Sequence, residues 1–184
     1  MQRSITPVAA LVFMICAATA PLSANAAQAA GAVPLTDGEI AYVYLHYNQF
    51  DVDEAELGIA RGTAPGVKQH GEMVANDHRG VIKAFEGILA KDGIEPIAPA
   101  DFDATVKQHQ AAIDTLKHKS GITFDRDYFT SAIINHRAFI DLVRETLLPA
   151  VKDQALASHF ESVLPAFAEH LYMTVAAAKK AQHL

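Results

Sequence analysis

The sequence predicts an all-α protein built as a four-helix bundle. Four long segments carry apolar residues at alternating spacings of three and four, which is the core stripe of a helix packed in a bundle. The alternating pattern of half-buried β-strands is nearly absent. A long connection, 93–123, separates the second segment from the third. These observations predict two helical hairpins joined by a crossover.

The N-terminal residues, 1–26, have the pattern of a secretory signal peptide. Arg3 gives a positive start, an apolar run follows at 8–20, and Ala-Asn-Ala at 24–26 is a cleavage site for signal peptidase. The apolar run is about 13 residues long, whereas a membrane-spanning helix needs about 20. We therefore expect export to the periplasm or medium, with outer-membrane association as one option. A retained membrane anchor is the alternative.

The exported chain is expected to be one domain, with residues 27–35 as a flexible lead-in and residues 36–184 as the bundle. Cys16, the only cysteine, leaves with the signal, so disulfides and thiolate metal sites are excluded. Arg3 is the only charged side chain of the signal, so its loss changes the net charge from −6 to −7 (−6 − 1 = −7). An acidic chain without a basic cluster argues against nucleic acid as a partner. We expect no transmembrane segment in the mature chain, and envelope proteins or a second copy as partners.

The first two helices have clear start and stop signals. Thr36 and Glu39 form a capping box that begins the first helix. The second opens at Thr63, has Pro65 in its first turn and ends at Gly93. The stripe of the first helix is Ile40, Val43, Tyr47, Phe50, Glu54 and Leu57. The stripe of the second is Val67, Gly71, Val74, His78, Val81, Phe85 and Ile88.

The last two long helices follow the same pattern. The third starts after Ser120 and Gly121, and the fourth begins near Asp153 and contains Pro165, which removes one helical hydrogen bond. The stripe of the third helix is Phe129, Ala132, His136, Phe139, Val143 and Leu147. The stripe of the fourth is Leu156, Phe160, Val163, Phe167, His170, Thr174 and Ala177.

The connections predict the order of the helices in space. Short turns at 61–65 and around Pro149 make each pair an antiparallel hairpin. The long connection holds a shorter helical segment near 103–119 and can cross the whole bundle. The second and third long helices would then run parallel, which is the ferritin-like topology with one crossover. A simple up-down-up-down bundle is the alternative.

Each core stripe contains one residue that is foreign to an apolar core: Glu54, His78, His136 and His170. All four fall near the middle of their helices, so in the crossover topology they should meet at one level of the bundle. Three imidazoles and a carboxylate suit one divalent transition metal, Zn²⁺, Cu²⁺, Mn²⁺ or Fe²⁺. The alternative is a buried network in which the same residues form hydrogen bonds with one another.

Three acidic neighbours are candidates for supporting the metal ligands. Glu56, Asp77 and Glu169 are each adjacent or nearly adjacent in sequence to a predicted ligand, but neighbours along a helix point about 100° away. We expect them to hydrogen-bond to ligands or to face solvent. The remaining histidines lie off the stripes and are expected at the surface, with His70 and His159 as the first exceptions to look for. They are His46, His70, His109, His118, His159 and His183.

Several segments of the mature chain resemble the DUF4142 family of exported bacterial proteins, some of which carry an outer-membrane label. The matching pieces are Glu54–Gly58, Met73–His78, Ser120–Tyr128, His136 and Leu164–Leu171. They occur in order over essentially the whole mature domain. The resemblance implies a ferritin-like bundle and export, and it implies no established activity.

The chain departs from the di-iron pattern of ferritin-like proteins. That pattern needs Glu-x-x-His on two helices, whereas Ala75 precedes His78 by three residues and Phe167 precedes His170 by three. The sequence therefore favours a metal-binding protein for storage, buffering or envelope stress protection. A non-catalytic structural or interaction module of the envelope is the second hypothesis. A metalloenzyme that handles redox species such as superoxide is the third, and the motifs of other catalytic classes are missing.

Overall fold

The computed structural model describes residues 34–181. These residues form helices joined by loops and contain no β-strand. The long helices are α1 (Asp37–Arg61), α2 (Pro65–Asp92), α4 (Gly121–Leu142) and α6 (Gln154–Ala181). A shorter helix, α3 (Phe102–Lys117), lies within the predicted crossover. The helix α4 continues through a π-helical segment (Val143–Leu147) and a single turn, α5 (Leu148–Ala150). The all-α prediction is confirmed, whereas the predicted signal peptide, residues 27–33 and His183 lie outside the described residues.

The helix ends lie where the sequence places their caps. The backbone N–H of Glu39 donates to Thr36 Oγ1 (3.2 Å), and the backbone N–H of Thr36 donates to Glu39 Oε2 (2.9 Å). At the end of α2, Gly93 has φ 68°, a left-handed conformation that glycine adopts without a steric penalty. Asp153 accepts hydrogen bonds from the N–H groups of the first turn of α6. Pro165 lies inside α6 without ending it.

Contacts between helix ends show the directions of the helices. Asp125, near the start of α4, accepts hydrogen bonds from the backbone N–H groups of Thr63 and Ala64, which precede α2. The helices α2 and α4 therefore begin at the same end of the molecule. Near the other end of α2, the ring of Phe85 packs against His159, near the start of α6 (5.1 Å between centroids). The helices α2 and α6 therefore run in opposite directions.

Three apolar clusters form the core, the smallest being Ala55, Val74 and Ala75, and a polar layer lies between the two larger ones. The largest cluster includes Tyr44 of α1, Phe85 of α2 and Phe160 of α6, all with no exposed side-chain surface. The second cluster lies at the end of the bundle where α2 and α4 begin, and it includes Val67 and Phe124. Each long helix contributes at least one buried polar residue to this layer. The residues of the layer are Asp51, Glu54, His78, His136 and His170.

The prediction that the remaining histidines lie at the surface is wrong for His109, and it also fails for His70 and His159, the two exceptions it named. His70, His109 and His159 are buried, whereas His118 is exposed and His46 is half-buried. His109 is buried because α3 covers α1, where its ring stacks on Phe50 (4.1 Å between centroids). No helix in the described part of the chain has the length and apolar character needed to cross a membrane.

Candidate metal centre

Three of the predicted ligands meet in the polar layer. His78 of α2, His136 of α4 and His170 of α6 each place one ligating atom within 4.8 Å of those of the other two. Their ring centroids are 5.5 to 6.1 Å apart. All three side chains are buried. The stripes of three separate helices therefore converge on one point, as the sequence predicts for the histidines.

The orientation of the His78 ring follows from its neighbour on α1. The Asn48 amide nitrogen donates to the backbone carbonyl of Tyr44 (2.9 Å), so its Oδ1 faces His78 Nδ1 at 2.9 Å. Because Asn48 Oδ1 only accepts, Nδ1 of His78 carries the proton. The lone pair of the ring is then on Nε2, which is buried and has no hydrogen-bond partner among the described residues.

The other two imidazoles have the same arrangement. Nδ1 of His136 donates to the carbonyl of Ala132, one turn earlier on α4 (2.9 Å), and its Nε2 has no partner among the described residues. Nε2 of His170 donates to Asp77 Oδ2 (2.9 Å), and its Nδ1 has no partner there. Each histidine therefore has one nitrogen fixed by an acceptor and one lone pair left free. Metal-ligating histidines almost always show this arrangement.

Burial keeps the three rings neutral near neutral pH. It lowers the pKa of His136 to about 4 and the pKa of His78 well below its ordinary value, and the other histidines of the cluster lower the His78 pKa further. Burial also lowers the pKa of His170, although the hydrogen bond to Asp77 acts in the opposite direction. Only a neutral imidazole can ligate a metal, so no proton has to be removed from these nitrogens.

The distances leave room for one ion. Nitrogen atoms about 2.1 Å from a tetrahedral ion lie about 3.4 Å from one another. The three ligating atoms, now within 4.8 Å, must therefore approach by no more than about 1.4 Å, which small side-chain rotations can supply. Three protein ligands leave a fourth position open.

The carboxylate next to the histidines is Asp51, which was not among the predicted site residues. Its Oδ2 lies 3.7 Å from His78 Nδ1 and its Oδ1 lies 3.8 Å from His136 Nδ1. Asp51 is only 4% exposed, and burial raises its pKa to about 8. It lies on the proton-bearing side of two rings, behind the free lone pairs. Asp51 follows Tyr47 by four residues and precedes Glu54 by three, and that spacing on one face of α1 was the signal for it.

Glu54, the fourth predicted ligand, is buried in the same layer but is not part of the histidine group. Its Oε2 accepts a hydrogen bond from Asn135 Nδ2 (2.7 Å), and burial raises its pKa to about 7. Of the three acidic neighbours, Asp77 contacts His170 as described. Glu56 pairs with Arg79 at the surface, and Glu169 is exposed.

The arrangement suits one divalent transition metal. Three neutral imidazole nitrogens are the ligand set of Zn²⁺ in one class of zinc sites, and imidazole also binds Cu²⁺, Fe²⁺ and Ni²⁺. His78 and His136 are shielded from solvent by the bundle, and the ring of Phe167 stacks on His78 (5.4 Å between centroids, 2° between planes). The edge of the site nearest solvent is the His170–Asp77 pair, since Asp77 is 43% exposed. An ion would enter there.

Comparison with known proteins gives a family and no activity. Residues 21–177 match the model of a family described as a domain of unknown function, DUF4142. Neither the curated proteins nor the solved structures contain a match. The family match includes all the residues of the polar layer, and by this match the chain belongs to the DUF4142 family.

Proposed function

We propose that this protein is an exported metal-binding protein that holds one divalent transition metal at His78, His136 and His170. The supporting observation is that each of the three rings has one nitrogen bound to an acceptor and the other buried without a partner among residues 34–181. A buried nitrogen lone pair without a donor costs free energy. An ion that binds to the three unpartnered nitrogens offsets this cost.

The role that fits this centre is metal storage, buffering or protection of the envelope against metal stress. The site is deep in the bundle, and its edge nearest solvent is the His170–Asp77 pair. A buried centre with one edge near solvent favours retention of the ion over turnover of a bulky substrate. Export follows from the signal pattern at 1–26 and remains a proposal. It predicts a mature N-terminus at Ala27, which mass spectrometry of the periplasmic fraction checks.

We also propose the ferritin-like arrangement for the bundle. The common starting end of α2 and α4 supports it, because a crossover between these helices must return the chain to that end. The position of α3 within the connection supports it as well. An experimental structure in which α2 and α4 run in opposite directions would contradict this arrangement.

Titration calorimetry with Zn²⁺, Cu²⁺, Mn²⁺ and Fe²⁺, the last under anaerobic conditions, tests the function. We expect one equivalent of at least one ion to bind tightly and to raise the melting temperature, because an ion that binds only the folded state stabilises it. His78→Ala should remove that binding. His118→Ala is the matched control, since His118 is exposed and distant from the cluster in sequence.

The competing interpretation is a structural polar network without an ion. One contact favours it, the His170–Asp77 hydrogen bond, which is a histidine–carboxylate pair. This interpretation predicts no change in melting temperature with any of the four ions. That result with correctly folded protein would refute the metal-binding function.

A further inference from the structure

Three oxygen atoms in the polar layer are buried and have no hydrogen-bond donor among the described residues. They are Oδ2 of Asp51, Oε1 of Glu54 and Oδ1 of Asn135. Asp51 and Glu54 are 4% and 3% exposed. They are separate from the three free nitrogens of the histidines, because they come from α1 and from the face of α4 next to His136. The histidine centre does not use them.

The local structure brings the groups that carry these oxygens near one another, since the Glu54 carboxyl interacts with both Asp51 and Asn135. Asp51 and Glu54 are three residues apart on α1, so their side chains share one face of the helix. Asn135 Nδ2 donates to Glu54 Oε2 at 2.7 Å and also lies 3.4 Å from Ser131 Oγ, and Ser131 hydrogen-bonds to the Glu54 carboxylate as well. Because the amide nitrogen is engaged with Glu54, the Asn135 carbonyl oxygen remains as an acceptor beside the same carboxylate.

Positive charge is what these oxygens lack. Neither carboxylate forms an ion pair with a lysine or arginine of residues 34–181; Asp51 faces the neutral rings of His78 and His136 at 3.7 and 3.8 Å, and His109 is the histidine that acts on Glu54. A buried carboxylate without a counter-charge costs free energy, and only a proton or a cation removes that cost. Carboxylate and amide oxygens are the ligands of hard divalent cations.

We propose that Asp51, Glu54 and Asn135 form a second cation site with hard oxygen ligands, specific for a divalent cation of the Mg²⁺ and Mn²⁺ class. The three free oxygens supply the protein ligands, and water completes the coordination. The site goes beyond the histidine centre and does not depend on it. Occupation of both sites would place a hard cation on α1 and α4, next to a softer ion held by α2, α4 and α6.

The experiment uses Mn²⁺ as the probe, counted by its electron paramagnetic resonance signal at pH 8, where the carboxyls are more fully ionised. Mn²⁺ binding is measured first without Zn²⁺ and then with one equivalent of Zn²⁺, which occupies the histidines where they bind it and leaves no excess to compete for the oxygens. We expect one equivalent of bound Mn²⁺, and a loss of affinity of at least tenfold in Glu54→Gln and in Asp51→Asn. Both substitutions conserve side-chain shape. Glu56→Gln is the matched control, because Glu56 lies two residues away and pairs with Arg79 at the surface.

Two results would overturn the second site. The first is wild-type protein that binds no Mn²⁺, and a higher melting temperature of Glu54→Gln at pH 8 would then show that a proton occupies the carboxylates. The second is Mn²⁺ binding that survives Glu54→Gln but is lost on adding Zn²⁺ or in His78→Ala, which would place Mn²⁺ on the histidines. Zn²⁺ binding that is absent while Mn²⁺ binding responds to Glu54→Gln would refute the histidine centre alone. Circular dichroism of each variant verifies the helical fold.

Discussion

Two hydrogen-bonding groups in this bundle are built on buried histidines, one on His70 alone and one on three histidines, and they differ in how the ring nitrogens are satisfied. In the first group, Thr174 donates its hydroxyl proton to the carbonyl of His170 (2.7 Å), so Thr174 Oγ1 must accept from His70 Nε2 (2.8 Å). His70 Nδ1 is then an acceptor, and the hydroxyl of Tyr128 donates to it (2.9 Å). Every ring nitrogen of His70 has a partner. In the second group, His78, His136 and His170, each ring leaves one nitrogen without one.

The difference separates a structural histidine from a candidate ligand by hydrogen bonding alone. Both groups are buried, both consist of neutral rings, and both join several helices. The first connects α2, α4 and α6 through a completed chain of hydrogen bonds that already stabilises the fold. The second has three acceptors without donors in one buried cluster, which disfavours the empty state and favours a cation. Burial or pKa alone would not have distinguished the two groups.

The largest expected effect is on metal affinity, when one of the three histidines with a free nitrogen is removed. We expect His136→Leu to weaken binding of the tightest of the four ions more than 100-fold, because two imidazoles remain for an ion that needs at least three ligands. His70→Leu should leave the affinity within about threefold, since His70 has no nitrogen to offer. Calorimetric titration of both variants measures the contrast. Equal losses in the two variants would mean that the two groups act as one network.

In the metal-free protein, we expect His70→Leu to lower stability more than His136→Leu, which reverses the order of their effects on metal affinity. His70→Leu leaves the hydroxyl of Tyr128 buried without an acceptor, and we expect it to lower the free energy of unfolding by about 2–3 kcal/mol. His136→Leu removes a nitrogen that has no partner and another whose one hydrogen bond is to a helical carbonyl, with Asp51 Oδ1 farther away at 3.8 Å, so we expect a change within about 1 kcal/mol. Urea unfolding in the presence of a chelator checks both values. A larger loss in His136→Leu than in His70→Leu would contradict the comparison.

The sequence predicted Glu54 at this site but missed Asp51, because the buried face of α1 is wider than a single stripe. A stripe with spacings of three and four placed Glu54 in the core, and it is buried. A second row on the same helix is buried as well, comprising Tyr44, Asn48, Asp51 and Ala55. The helix α1 contacts α2, α3 and α4, so its buried face is wider than one stripe. Asp51 and Asn48, which flank the histidines, lie in that second row.

The histidines themselves could be predicted because each interrupts an apolar stripe near the middle of a helix. The burial of His109 could not, since it depends on where α3 crosses α1, and the spacing within α3 does not contain that information. The contact between Asp77 and His170 could not be predicted either. It needs the rotation of α6 relative to α2, which is set by packing such as that of Phe167 on His78.

A smaller effect should come from the acceptor that holds His170. Asp77→Ala removes the hydrogen bond to Nε2 and leaves the ligand set intact, and we expect about a tenfold loss of metal affinity, as is typical when the partner of a ligating histidine is removed. The matched control is Glu169→Ala, because Glu169 precedes His170 in sequence but is exposed. Competition with a colorimetric chelator measures both affinities. An equal loss in the two variants would show that only the net charge of the region matters.

The smallest effect is a dependence of stability on pH, and it belongs to the completed group. Burial lowers the pKa of His70 to about 3, whereas an unfolded histidine titrates near its ordinary value of about 6.5. Below pH 6.5, His70 binds a proton in the unfolded chain but stays neutral in the folded chain, so the free energy of unfolding falls as the pH decreases from about 6.5 toward 3. One such group contributes at most about 1.4 kcal/mol per pH unit.

The difference in unfolding free energy between wild type and His70→Leu should therefore shrink by about 1 kcal/mol between pH 6 and pH 5. Urea unfolding at both values measures it, with chelator present so that the histidine centre contributes equally to the two proteins. A difference that stays constant with pH would mean that His70 is already protonated in the folded state, and the direction of the hydrogen-bond chain through Thr174 and Tyr128 would have to be reversed at Tyr128.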